Sequence, residues 1–326
     1  MHTANFDVVL NKNAGSLTES MISQIQAIVP KERVHLTTSL LHSRDVIKEC
    51  MDRGTETIFA GGGDGTIVDV VNTVTEFSTG KTPTIGVLRL GTGNALASWL
   101  HSGNPVDALQ HWTSTNKHKI IQATMIEAEE TLFPFAGVGL DAAILNDYNL
   151  AKRNAKGTWL QPIMKGLTGY LWAGYTRTLP NFVQTPSYKV QIINLGRPAF
   201  RIGPNGGEIG EAIPTGATLY EGEVSTVTCG TSPYYGYKMK MFPFATNRQG
   251  RFQLRVVELT PLQVAWNIYG CWTGDFRHPG LLDFYADRVR VIFEEAAPYQ
   301  LGGEACGYRK EIVFSLGSSV NMIEYT

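Results

Sequence analysis

Thr57-Ile58-Phe59-Ala60-Gly61-Gly62-Gly63-Asp64-Gly65-Thr66 is the stretch on which the reading of this chain turns. Four strand-forming residues run into a cluster of glycines. Beyond it Ile67, Val68, Val71, Val74 and Phe77 recur every three to four residues, the spacing of a helix with one buried face. A strand that ends in glycines and opens a helix aims backbone N–H groups and a helix N-terminus at one place. An anion is favoured there, and glycines let the main chain come close to it. An acid inside such a loop would repel bare phosphate, so Asp64 reads as a Mg²⁺ ligand or as the acceptor of a proton from a hydroxyl. The plainer alternative is a tight strand-to-helix turn with Asp64 as its cap.

The flanking sequence repeats the same unit. Phe6 to Leu10 reads as a strand, Asn11 to Ser16 as a turn, and Met21, Ile22, Ile25, Ile28 and Val29 as a helix face. Val34-His35-Leu36 is a second strand, Ile47, Cys50 and Met51 mark a helix, and Ile85 to Leu88 is a fourth strand. It ends in a second glycine turn, Gly91-Thr92-Gly93-Asn94, and Ala95 to Leu100 opens a helix. Such alternation predicts an α/β domain with an open, mostly parallel sheet over residues 1–123. Two glycine turns at strand ends, about 30 residues apart, suit a crevice at a topological switch point. Gly80-Lys81-Thr82 is not a phosphate loop, because Thr75 stands where the leading glycine belongs and no helical pattern follows.

The character changes near Lys117. Ile120 to Ala128 and Leu132 to Gly137 read as a strand pair around Glu129-Glu130, and residues 149–178 as mainly helical. Period-two alternation at Lys189–Ile192, Arg251–Val256 and Arg288–Val291 then predicts antiparallel strands. A second, mainly β domain is assigned to residues 124–326, with the last residues, about 315–326, able to pack back on the first. The Gly/Pro-rich stretch from Gly196 to Gly216 reads as a surface excursion.

Composition narrows the partners. A formal net charge of -1 with no Lys/Arg block argues against nucleic acid. Cys50, Cys229, Cys271 and Cys306 are widely spaced and form no CxxC, which argues for a reducing compartment without a disulfide framework or zinc site. The first residues lack a signal-peptide pattern, and the apolar stretch 132–145 is too short and contains Asp141, so a cytoplasmic protein meeting any membrane peripherally is expected. Trp159, Leu160, Ile163, Met164, Leu167, Tyr170 and Leu171 form an apolar stripe, either an acyl-chain pocket or core. Lys152, Arg153 and Lys156 are either phosphate contacts or a solvated helix face.

At this point the chain resembles a family. Gly62-Gly63-Asp64-Gly65-Thr66, with Asp69 and Asn72 after it, looks like the most specific motif of the diacylglycerol kinase and sphingosine kinase catalytic-domain family, whose loop NAD kinases share. Asn11-Lys12-Asn13-Ala14-Gly15-Ser16 is similar to the family's nucleotide turn, with Lys12 in place of proline. Gly91 to Ala97, and Thr37 with His42 and Arg44, look more like the sphingosine kinases. Gly137-Val138-Gly139-Leu140-Asp141-Ala142 resembles the motif that opens the second domain, and His278-Pro279-Gly280 with Arg288–Val291 resembles the closing strands.

The resemblance implies an α/β nucleotide domain, a β-sandwich-like lipid domain, and ATP in the cleft between them. Asn11, Gly15, Ser16, Thr37, the loop Gly62, Gly63, Asp64, Gly65 and Thr66, and the turn Gly91, Thr92, Gly93 and Asn94 would contact ATP. Asp64 would be the catalytic base or the Mg²⁺ ligand, and Asp141 would lie near the acceptor. Asp69 and Glu304 would reach metal-bound water or nucleotide hydroxyls. The partner implied is a lipid substrate met at a membrane surface, with a homodimer left open. One departure matters: the family's Asp-Gly-Glu is here Gly302-Gly303-Glu304. Either Asp64 is the base or the chain binds without turnover; an NAD kinase is the third reading.

Overall fold

The first unit is laid down by four short apolar strands, β1 (Phe6–Asn11), β2 (Val34–Thr37), β3 (Thr57–Gly62) and β4 (Thr84–Arg89). They are parallel in the order β4-β3-β1-β2, with Val8 opposite Val34, Val8 opposite Phe59 and Ile58 opposite Ile85. Met322, near the C-terminus, pairs in parallel with Ile85 on the other side of β4. A parallel sheet buried on both faces needs runs of apolar residues rather than alternation. Val8, Val9 and Leu10 are such a run, and every residue of β3 is buried.

Helices α1 (Glu19–Ile28), α2 (Leu40–Asp52), α3 (Asp64–Phe77), α4 (Ala95–Trp99) and α5 (Pro105–Ser114) fill the crossovers. The starts of α1, α2 and α5 are chemically marked. Thr18 accepts from the Met21 N–H, Ser39 from the His42 N–H, and Asn104 from the Val106 N–H, ahead of a first-turn proline. Ile67, Val70, Val71 and Val74 make the buried face of α3 that its periodicity predicts. Phe6, Phe59 and Trp112 pack edge to face behind the sheet.

The computed structural model describes residues 5–78, 80–115, 118–154 and 188–325. Lys156 and the stripe from Trp159 to Leu171 lie outside them. Residues 1–125, 236–238 and 318–326 group as one compact unit, and residues 126–235 and 239–317 as the other.

The second unit is antiparallel and strand-rich. After β5 (Lys119–Ala128) and β6 (Thr131–Phe133) come β7 (Phe135–Gly139), α6 (Leu140–Asn154), β8 (Tyr188–Asn194), β9 (Ala199–Ile202), β10 (Glu208–Ile213), β11 (Thr218–Val224), β12 (Thr226–Gly230) and β13 (Phe252–Val257). Two short helices, α7 (Pro261–Trp266) and α8 (Ile268–Thr273), precede β14 (Leu281–Ala286), β15 (Arg288–Leu301) and β16 (Glu304–Glu324). The order is β10-β9-β14-β13-β12-β7-β15, with β8 joining β11 to β15 and β16 pairing with β15.

Two expectations are corrected. The stretch from Gly196 to Gly216 is more regular than a surface excursion: β9 and β10 form a hairpin inside it, β9 pairs with β14, and β10 is an exposed edge strand. Glycines and a proline mask these strands, and their partner lies some 80 residues away in sequence, where no local pattern reports it. The strand expected over Leu132 to Gly137 breaks at Pro134, which has no N–H for the ladder, and becomes β6 and β7. Gly80-Lys81-Thr82 is a loop, and Lys81 pairs with Glu56 at 2.8 Å. Among the described residues no helix is long and apolar enough to cross a membrane.

Candidate active site

The two glycine turns are pressed together. A Cβ on Gly91 would stand 2.2 Å from the Gly63 Cα, so the turn after β4 touches the turn after β3 only because both positions are glycine. α3 begins immediately: Gly63 is its N-cap and Asp64 its first helical residue, so Asp64 does not act as the cap. The Asp64 carboxylate reaches the second turn instead. Its Oδ1 accepts the Ala95 N–H at 2.7 Å, and a Cβ on Gly93 would lie 2.6 Å from its Oδ2.

Asn94 locks that second turn. It sits in the left-handed region (φ 53°), its Oδ1 accepts the Gly91 N–H at 3.1 Å, and its amide nitrogen donates to the Gly91 carbonyl. Residues 236–238 close over the same turn, with the Tyr237 N–H donating to the Gly93 carbonyl at 2.9 Å. Sequence reasoning passed over that segment; Tyr234-Tyr235-Gly236-Tyr237 was its only local signal.

The nucleotide turn after β1 completes the group. Asn11 Nδ2 donates to Thr66 Oγ1 at 3.0 Å, and Thr66 in turn occupies the space a Cβ on Gly62 would need. The Lys12 N–H donates to the Thr37 carbonyl at 2.8 Å, and the Ser16 N–H to the Leu90 carbonyl at 3.2 Å. Thus Asn11, Ser16, Thr37, Gly62, Gly63, Asp64, Thr66, Gly91, Gly93 and Asn94 converge at the C-terminal ends of β1, β2, β3 and β4. Gly65 lies in the first turn of α3, and Gly15 and Thr92 are exposed. Nothing stands within 4 Å of a Cβ built on Gly15.

Three expected positions lie elsewhere. Asp69 is five residues along α3 from Asp64, off the i+3 and i+4 positions that share its face. Arg44 pairs with Glu76 and lies over the Phe77 ring, tying α2 to α3. His42 is exposed in the first turn of α2.

Asp141 and Glu304 belong to the second unit. Asp141, in the first turn of α6, is buried, and three side chains meet it: Thr226 Oγ1 at 2.6 Å, Gln300 Nε2 at 3.2 Å and the Tyr235 hydroxyl. A Cβ on Gly137 would collide with its Oδ2, whereas Gly139, at φ 111°, leaves room for the Ser225 carbonyl. Gln300 also accepts the Gly303 N–H at 2.9 Å. Gly302 and Gly303 (φ 55° and 89°) are the two central residues of the β15–β16 hairpin, whose first pair is Leu301 and Glu304. Glu304 is exposed.

Asp141 also lines a cavity of ≈ 140 Å³ in the same unit. Its wall is mostly apolar, with Ile144, Met241, Val257, Val264, Ile268 and Phe276 among the contributors. The stripe from Trp159 to Leu171, an acyl-chain pocket or core by sequence, lies outside the described residues; this cavity, whose walls include α6, β12, β13, α7 and α8, had no local sequence signal.

An α/β unit whose glycine turns meet around one carboxylate, and an antiparallel unit with an acid-bearing apolar cavity, suit a phosphotransferase. Comparison with known proteins makes it specific. A family model, "Diacylglycerol kinase catalytic domain", matches residues 5–128. The chain is 24% identical over 300 residues to the protein named "Probable lipid kinase YegS-like" of Enterobacter sp. (strain 638), covering 91% of this chain and 88% of that one. It is 32% identical over 100 residues to "Probable lipid kinase YegS" of Salmonella arizonae, 29% of this chain and 33% of the relative. A crystal structure of a diacylglycerol kinase from Bacillus anthracis str. Sterne superposes with a TM-score of 0.65, covering 99% of this chain and 97% of that one at 16% identity, a likeness of fold. Residues 5–128 thus match the diacylglycerol kinase catalytic-domain model, and nearly the whole chain is similar to a protein named as a probable lipid kinase.

Proposed function

We propose that this protein transfers the γ-phosphoryl group of ATP to the hydroxyl of a diacylglycerol- or sphingosine-like lipid taken peripherally from a cytosolic membrane surface. The observation that carries the reading is the Asp64 carboxylate, held by the Ala95 N–H and brought against Gly93 between two touching glycine turns. Phosphoryl transfer asks mainly for in-line positioning and charge neutralisation. In this reading the phosphates lie along the main chain of these turns, with open space at Gly15. Asp64 accepts the hydroxyl proton or holds the metal. The donor type suits Mg²⁺, since a carboxylate oxygen is what a hard cation takes. Bound there, Mg²⁺ would neutralise phosphate charge. The lipid is assigned to the apolar cavity of the second unit, with Asp141 orienting its polar end.

Purified protein incubated with labelled ATP and a panel of diacylglycerol, sphingosine, ceramide and NAD tests this. A labelled lipid supports it; labelled NADP in its place indicates an NAD kinase, against which the apolar cavity weighs. ATP binding without turnover selects a non-catalytic homologue. That second reading is favoured by one feature, the glycine at 302 where the family carries aspartate.

A further inference from the structure

Among the described residues, the apolar wall of the second unit's cavity carries one guanidinium. Arg255, on β13, lines the cavity although only 5% of it is exposed. Asp283 faces it across the β13–β14 ladder and accepts from Nε at 2.8 Å and from Nη2 at 2.9 Å. Gln253 Nε2 donates to the same carboxylate at 2.7 Å. This bidentate pair uses one edge of the guanidinium. The Nη1 amino group, on the other edge, makes no hydrogen bond with a described residue. Thr228, opposite Arg255 on β12, is fully enclosed, and among the described residues its hydroxyl also lacks a partner. Polar capacity on this face of the sheet is therefore left unspent, and Arg255 is the group that reaches the cavity.

Because Asp283 cancels the charge, the pair has no surplus for a phosphate or carboxylate. What it offers is N–H donors in a dry, low-dielectric wall, and a neutral oxygen acceptor suits them. We propose that Arg255 Nη1 binds an acyl carbonyl oxygen of the lipid. The acceptor lipid then carries an ester or amide, and Arg255 sets a preference for acyl over alkyl chains. This rests on the cavity being the lipid site.

The test uses the full chain with ATP and Mg²⁺ and two lipids matched in hydroxyl and chain length, one ester-linked and one ether-linked, in the same micelles. Wild type should show kcat/KM about ten-fold higher for the ester, seated mainly in KM. Arg255→Lys keeps a cation beside Asp283 but loses the fork, and should bring the ratio to about two or below. Thr228→Val, directly opposite but outside the cavity lining, controls for packing and should keep the ratio. Phosphorylation of both lipids with equal kcat/KM by wild type overturns the inference and leaves the lipid-kinase reading standing. An Arg255→Lys protein that keeps the preference, or a Thr228→Val protein that loses it equally, also overturns it. Phosphorylation of neither lipid removes the lipid-kinase reading itself.

Discussion

Gly93 stands where a methyl group would press on the carboxylate assigned to the reaction. Its φ is not in the left-handed region, so alanine is conformationally acceptable, and the added Cβ meets only the end of the Asp64 side chain. Gly93→Ala should therefore melt within a few degrees of wild type while kcat falls about ten-fold or more, since a displacement near 1 Å is enough to spoil a catalytic geometry. Asp64→Asn should remove transfer by ~10²–10⁴ with the fold intact. Near-normal turnover in that variant would sink both the base and the metal role. Gly302 offers the complementary experiment. Its φ of 55° is one that aspartate tolerates, so Gly302→Asp should fold. If Asp64 is the base, the new carboxylate leaves turnover unchanged or lower. A rise of about ten-fold, ~1.4 kcal/mol of barrier, would assign the base to the hairpin turn and make the natural chain a binding homologue.

At the scale of elements, the contact that matters is turn against turn. Gly91→Ala would put a Cβ 2.2 Å from the Gly63 Cα, and main chain cannot rotate out of the way as a side chain can. The ends of β3 and β4 must separate, at a cost of about 1–3 kcal/mol. Calorimetry should show ATP affinity lowered together with the melting temperature, whereas Gly93→Ala should move activity alone. Much of this element structure was legible beforehand, because its signals are local. Glycines after Phe59-Ala60 and the recurrence from Ile67 to Val74 specify a strand, a turn and a helix without reference to the rest of the chain. The surroundings of Asp141 were not legible. Thr226, Tyr235 and Gln300 arrive from 85, 94 and 159 residues away, and only the folded antiparallel sheet brings them together. The β9–β10 hairpin failed for the same reason, since pairing with β14 rather than its own composition makes it a strand.

At the scale of the whole molecule, stability should follow pH through a hub at the opposite end of β1 from the nucleotide turn. Asp7 is fully buried and takes hydrogen bonds from Arg33 (2.9 Å), Thr55 (2.6 Å), Arg53 (3.1 Å) and His35 (2.8 Å). Asp7, His35 and Cys50 cluster as metal ligands do, but two guanidiniums on the carboxylate oppose a dication. Burial alone would raise the Asp7 carboxyl. The bonds from His35, Thr55 and Arg33 outweigh it and hold the group at about 2. The Asp7 bond and the Cys50 contact raise His35 to about 9 against its own burial. A histidine raised above its unfolded value of about 6.5 contributes stability that is complete below that pH and lost as pH climbs through the folded value. A carboxyl held low contributes stability that is present above about 4 and lost as pH falls toward 2. The melting temperature should therefore plateau between about pH 4 and 6.5 and decline on both sides. The alkaline limb should be worth on the order of 2–3 kcal/mol by pH 9.5. Asp7→Asn should lower the plateau, because Arg33 and Arg53 lose their carboxylate. It should also flatten the alkaline limb, because the bond that raises His35 goes with it. Thermal unfolding of both proteins from pH 3 to 10 decides the matter: an alkaline limb equally steep in Asp7→Asn would mean that some group other than His35 titrates there.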